Sequence, residues 1–132
     1  MEIYYFTRTN ESEEIAKLIA QNNNGQVHKI DDGQNWNGII NFIKAGAMAS
    51  KGQLVNIEYT KPCSNEDIIL VFPVWAGTFP PAIRTFLKDF DTKKITAVVL
   101  SAVSSLSDKE KNIFKVVYEA KGKIKKPPSE LL

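Results

Sequence analysis

The chain has 132 residues, 43% hydrophobic and 24% charged, with a formal net charge of +2, a make-up that excludes a disordered segment and fits one globular domain spanning residues 1–132. Its apolar runs are strand-sized, which excludes a membrane-spanning helix. Met1-Glu2 leads straight into Ile3-Tyr4-Tyr5-Phe6 with no basic region before a long apolar stretch, so no signal peptide is read and a cytoplasmic protein is expected.

Ile3 to Phe6 reads as a first strand, and a helix from about Glu11 to Gln21 carries Ile15, Leu18 and Ile19 on one face. Asn22-Asn23-Asn24-Gly25 ends that helix, and Val27 to Ile30 forms a short second strand. Trp36, Ile39, Ile40, Ile43 and Ala47 have the spacing of a second helix, closed near Lys51-Gly52. A mixed polar stretch from Leu54 to Glu66 follows, with an extended piece at Leu54 to Tyr59. Within this stretch the lone Cys63, beside Pro62, excludes an internal disulfide and reads as an inert thiol. Ile68 to Phe72 is the third strand, and Pro81 suits the first turn of a helix carrying Ile83, Phe86 and Leu87. Ile95 to Leu100 is the fourth strand. Ser107-Asp108-Lys109-Glu110 is a capping-box pattern, predicting a helix with Ile113, Val116, Val117 and Ala120 as its stripe. Gly122 would close it, and Lys123-Ile124-Lys125 would be a short fifth strand.

Strand–helix alternation along the chain predicts an α/β domain with a parallel sheet. The third and fourth strands are apolar at successive positions, as expected where both faces are covered. In such sheets ligands bind beyond the carboxyl ends of the strands, where strand order reverses. With the order 2-1-3-4-5, the loops Thr7 to Ser12, Pro73 to Phe79 and Ser101 to Leu106 converge on one crevice.

The first loop supplies the hydroxyls of Thr7, Thr9 and Ser12 just before a helix, where backbone N–H groups favour an anion such as phosphate. Arg8 adds charge, whereas Glu11 would repel a phosphate unless it points to solvent. The same residues also suit an ordinary capped helix start. In the second loop, Trp75 offers a flat apolar face, either to a planar ligand or to its own domain, and Gly77 permits close backbone approach.

These loops carry a family resemblance. Thr7-Arg8-Thr9-Asn10-Glu11-Ser12 resembles the hydroxyl-rich phosphate loop of flavodoxins, with Asn10 in place of the usual glycine. Pro73-Val74-Trp75-Ala76-Gly77 followed by Pro80-Pro81-Ala82-Ile83-Arg84-Thr85-Phe86-Leu87 is similar to the second flavin loop and following helix of short flavodoxin-like proteins. Asn41-Phe42-Ile43-Lys44-Ala45-Gly46 resembles the helix before the third strand in that group. The resemblance implies a flavodoxin-like three-layer sandwich and FMN as cofactor. Thr7, Arg8, Thr9, Asn10 and Ser12 would hold its phosphate. Trp75 would stack on the ring, Val74, Ala76 and Gly77 would meet its reactive edge, and Ser101, Ala102, Ser104 and Ser105 would contact its pyrimidine side.

Other chemistry has little support. His28 is the only histidine and belongs to the second strand, so neither a histidine triad nor a multi-histidine metal site is expected. Asp31-Asp32 lacks calcium-loop spacing, and there is no Gly-x-Gly-x-x-Gly or Walker sequence. Lys109, Lys111, Lys115, Lys121, Lys123, Lys125 and Lys126 crowd the C-terminal quarter, but Arg8 and Arg84 are the only arginines. A solvated helix face and a basic tail are therefore expected, not a nucleic-acid surface.

The final helix of a full flavodoxin is missing, because Lys125 to Leu132 is short and broken by Pro127-Pro128. The fourth strand nevertheless expects burial on both faces, which predicts a homodimer across the uncovered patch or, as the runner-up, a tail folded back over it. The expected function is electron transfer through bound FMN to a redox partner protein or a small acceptor. The alternatives are an NAD(P)H-dependent flavin or quinone reductase, and an interaction module that has lost flavin.

Overall fold

The computed structural model describes residues 1–36, 38–61 and 66–132, with Phe42 described by its backbone alone. Cys63 therefore lies outside the described residues. Strand β1 (Glu2–Tyr5) leads to α1 (Glu11–Asn23), β2 (Gln26–Lys29), α2 (Ile39–Ser50), β3 (Ile68–Pro73) and α3 (Pro81–Lys88). Then come β4 (Ile95–Ser101), a one-turn α4 (Asp108–Lys111) and β5 (Val116–Lys121). Every neighbouring pair of strands is parallel, in the expected order β2-β1-β3-β4-β5.

Strand alternation sorts the apolar residues into two cores. Ile3, Tyr5, Ile69, Val71, Val98 and Leu100 face Ile15, Ala16 and Ile19 of α1. Tyr4, Phe6, Leu70, Phe72, Ala97 and Val99 face Ala45 and Ala49 of α2 and Ala82, Ile83 and Phe86 of α3. β3 and β4 thus bury both faces, which explains their continuous apolar runs. Each large side chain fully buried there contributes about 1.5–3 kcal/mol. α3 begins with Pro81 in its first turn, where a missing N–H costs nothing, and buries Ile83 and Phe86 one turn apart.

One expectation is corrected. The helix with Ile113, Val116, Val117 and Ala120 as its stripe is instead a single helical turn followed by β5. The capping box forms as read, with Ser107 accepting from the Glu110 N–H and Glu110 accepting from the Ser107 N–H. Beyond it, however, Val117 packs in the α2/α3 core and Ala120 in the α1 core. One helical face cannot reach both sides of a sheet, whereas a strand does so naturally, and Val116-Val117-Tyr118 favours it. Lys123-Ile124-Lys125 is accordingly not a strand.

Helix α2 forms where its spacing predicts it. Ile39, Ile40 and Ile43 are 79%, 83% and 65% exposed, and the inward face is built from Ala45 and Ala49. The isoleucines turn outward.

The C-terminal tail lies over the sheet face left by the missing last helix. Val98 and Leu100 are buried at 0% and 2% exposure within this chain, and Leu131 packs on that core. A single 3-10 turn at Ser129–Leu131 holds Leu131 there, and Asn23 Nδ2 donates to the Leu131 carbonyl at 2.6 Å. The tail folds back over the sheet, as the runner-up expectation has it.

Candidate cofactor-binding crevice

Parallel β1, β3 and β4 deliver their following loops to one edge of the sheet. In the first loop, Asn10 takes the left-handed conformation at φ 69°. Asparagine is among the few side chains that tolerate it. Asn10 caps α1 without a side-chain hydrogen bond. The first-turn N–H groups of a helix have no acceptor within it, so this end of α1 is suited to an anion. Thr7, Arg8, Thr9, Glu11 and Ser12 line a cavity of 180 Å³ at that end. Arg8 Nη1 donates to the Trp36 carbonyl at 3.4 Å, and the Thr9 hydroxyl donates to Glu11 at 3.2 Å. Ser12 is buried at 1% exposure.

The second loop is a tight turn. Trp75 and Thr78 exchange both backbone hydrogen bonds at 3.0 Å, and Ala76 and Gly77 between them have φ 51° and 75°. Two successive positive φ values make a primed hairpin turn, usually given to Asn-Gly; alanine is the strained choice at the first position. The turn rests on a polar cluster in which Arg84 Nη2 donates to Thr78 Oγ1 at 2.8 Å and Thr78 donates to Glu110. Burial pushes the Glu110 carboxyl up, but hydrogen bonds from Thr78 and Ser107 and the Arg84 charge outweigh it and hold the group below its ordinary value.

Trp75 packs against its own domain, one of the two settings that its flat apolar face suits. Its ring is flanked edge-on by Phe6 and Trp36, with centroids 5.4 and 5.0 Å away, and the residue is 6% exposed. In this structure it forms a wall of the crevice, because its faces pack on its own domain. Its buried Nε1 has no hydrogen-bond partner among the described residues.

The third loop is divided. Ala102 and Ser104 line the crevice, whereas Ser105 turns away to donate to Glu119. Ser101 ends β4 with its hydroxyl buried and, among the described residues, unpartnered, outside the lining of the two cavities. Gly77 and Asn10 shape turns without lining the cavities.

A second cavity of 440 Å³ opens between α2 and the β3 and β4 loops, lined by Ile43, Ala45, Gly46, Ala47, Ser50, Val74, Trp75, Ala76, Ala102, Val103 and Ser104. Arg8, Val74, Trp75 and Ala102 line both cavities, so the two form one crevice. It has a small polar end at α1 and a larger, mainly apolar slot beside α2. The slot lies within the usual volume range of small-molecule sites.

Two contributors were not legible as site residues. The slot wall Ala45-Gly46-Ala47 was read only as helix; its run of small side chains was the available signal. Lys125 was read as a tail lysine, yet it lines the polar cavity and pairs with Glu11 at 3.0 Å. Placing the fifth strand at 116–121 would have revealed it, since the segment after a parallel β5 starts at the same sheet edge as the three loops. His28 sits in edge strand β2, paired with Glu2, away from the crevice.

No protein-family model matches the sequence. No curated protein matches it significantly. Solved structures do match. A flavoprotein from Lactobacillus acidophilus NCFM, crystallised in complex with FMN, superposes with a TM-score of 0.62 at 14% identity, over 91% of this chain and 90% of its own. A candidate flavoprotein from Bacteroides eggerthii DSM 20697 gives 0.59 at 16% identity over 92% and 84%. One from Bacteroides uniformis ATCC 8492 gives 0.57 at 20% identity over 91% and 85%. With the parallel order 2-1-3-4-5, these likenesses establish that the chain has the flavodoxin-like fold.

Proposed function

We propose that this protein binds FMN in the crevice and transfers electrons through it. The observation that carries this reading is the shape and polarity of the crevice: a polar pocket at a helix N-terminus, continuous with a mainly apolar slot. A planar ring joined by a polar chain to a phosphate matches both ends. The fit rests on groups of this chain. The N–H groups at the start of α1 and the hydroxyls of Thr7, Thr9 and Ser12 would bind the phosphate. Ala45, Gly46 and Ala47 would face the ring on one side, and Ala102 and Ser104 on the other.

FMN supplies one- and two-electron redox chemistry when bound, and the protein sets where and how that chemistry is reached. The Trp75–Thr78 turn, fixed from below by Arg84 and Glu110, would hold Ala76 and its backbone groups against the ring. Ile43 and Val103, 65% and 98% exposed, stand at the slot mouth, so an apolar acceptor or an apolar patch on a redox partner would reach the ring edge there.

A second reading, a flavodoxin-fold interaction module without flavin, is favoured by one observation: the carboxylate of Glu11 lines the phosphate end. FMN titration of the purified apoprotein, followed by flavin absorbance and tryptophan fluorescence, separates the two. Saturable binding with a visible flavin band supports the cofactor reading. No quenching and no band at high FMN would leave the interaction module. Steady-state oxidation of NAD(P)H by the loaded protein would then distinguish a reductase from a carrier.

A further inference from the structure

Lys125 reaches the crevice from the C-terminal segment. Its Nζ lies 3.0 Å from Glu11 Oε2, and its side chain is only 10% exposed, against 43% for that of Glu11. An ammonium has three N–H donors, and one carboxylate does not exhaust them. Among the described residues, Glu11 is its one charged partner. Both residues line the same cavity as Thr7, Thr9 and Ser12.

The charge pattern needs an explanation. A carboxylate in the first turn of a helix suits the helix dipole, but here it also lines the pocket proposed for a phosphate. A phosphate monoester carries roughly −1.5 to −2 charges at neutral pH and would be repelled by an unmasked Glu11. With Lys125 on the carboxylate, that repulsion is cancelled. When a phosphate enters, the ammonium is within the same cavity and gains a stronger anionic partner.

We propose that Lys125 is the cationic clamp for a ligand phosphate, held at the pocket by Glu11 and shared with the phosphate on binding. The inference rests on the FMN reading for the identity of the ligand, and on the geometry alone for the clamp. Glu11 is thereby a positioning residue and a competitor at once, so removing either partner has opposite effects.

The test is a comparison of FMN, riboflavin and inorganic phosphate on the wild-type protein and on Lys125→Gln, Lys125→Arg, Glu11→Gln and the double variant, with folding checked by circular dichroism. Flavin binding is read by fluorescence, and phosphate binding by shifts of the Thr9 to Glu13 amide resonances. Lys125→Gln should weaken FMN roughly tenfold or more while leaving riboflavin within about twofold. Lys125→Arg should retain most FMN affinity. Glu11→Gln should strengthen FMN binding several-fold, and in the double variant much of the Lys125→Gln loss should be recovered, because the carboxylate it unmasks is gone.

Equal losses for FMN and riboflavin in Lys125→Gln, or no loss for either, would overturn the clamp while leaving the flavin reading standing. Phosphate shifts that depend on Lys125 in a protein that binds neither flavin would do the reverse: the clamp would hold, with another phosphorylated ligand. Phosphate shifts indifferent to Lys125 in such a protein would remove both.

Discussion

Arg84 Nη2 donates to Thr78 Oγ1 at 2.8 Å, placing a cation from α3 directly beneath the turn that forms the crevice wall. Thr78 in turn donates a hydrogen bond to Glu110, so one hydroxyl links two charged groups from separate elements. Thr78→Val keeps the shape and removes the link. Each charged partner would lose a hydrogen bond in a partly buried site, and the variant should be destabilised by about 1–3 kcal/mol in urea denaturation. A loss below about 0.5 kcal/mol would show that water replaces the hydroxyl.

Stability should vary with pH through the same cluster. Glu110 is held below its ordinary 4.5, because Thr78, Ser107 and Arg84 outweigh the burial that would raise it. Glu119 is lowered as well, first by the Ser105 hydrogen bond, against burial and with help from Lys111 and Lys121. A carboxyl with a depressed folded value adds stability above its unfolded value, and that contribution is lost as pH falls through the folded value. The urea midpoint should therefore drop below about pH 4.5, more shallowly in Glu110→Gln. At the other extreme, Tyr5 is raised above its ordinary 10, by burial first and then by the Glu13 hydrogen bond and charge. A raised tyrosine adds stability below pH 10 that is lost on further alkalinisation, a loss that Tyr5→Phe should abolish.

Ala76 has φ 51° in a turn whose first position favours asparagine. Ala76→Asn should relieve part of that strain and raise stability by about 0.5–1 kcal/mol, a few degrees in melting temperature. Because residue 76 also lines the slot, its FMN affinity should be measured alongside. A stabler protein with weaker binding would identify the strain as part of the binding geometry.

Filling the slot tests where the ring sits. Ala47 is exposed on α2 and lines the slot, so Ala47→Trp should leave the fold intact while blocking the ring. FMN affinity should fall by about tenfold or more, equivalent to about 1.4 kcal/mol. Unchanged affinity would place the ring elsewhere.

The parallel sheet was legible because β3 and β4 are apolar without a break, while its strand order came with the resemblance to flavodoxins. The polar turn at Asn10 was legible too, since few residues accept its backbone. What misled was ambiguity of period: Ile113, Val116, Val117 and Ala120 satisfy a helical stripe, and nothing local says that Val117 and Ala120 face opposite cores. In α2 the spacing shows a helix but not its inward face, which packing gives to Ala45 and Ala49. Trp75 was found as the key loop residue, but whether its face is free depends on Phe6 and Trp36, which come from distant segments.

The tail is fastened at both ends of α1, by Lys125 to Glu11 at the helix start and by Leu131 to Asn23 at its finish. The helix has 13 residues. It is therefore about 20 Å long. Force applied at the C-terminus would thus be borne first by the Asn23 contact and only afterwards by the lysine at the crevice. In a pulling experiment the tail should peel in that sequence, and a ligand that grips Lys125 should strengthen the second step without touching the first.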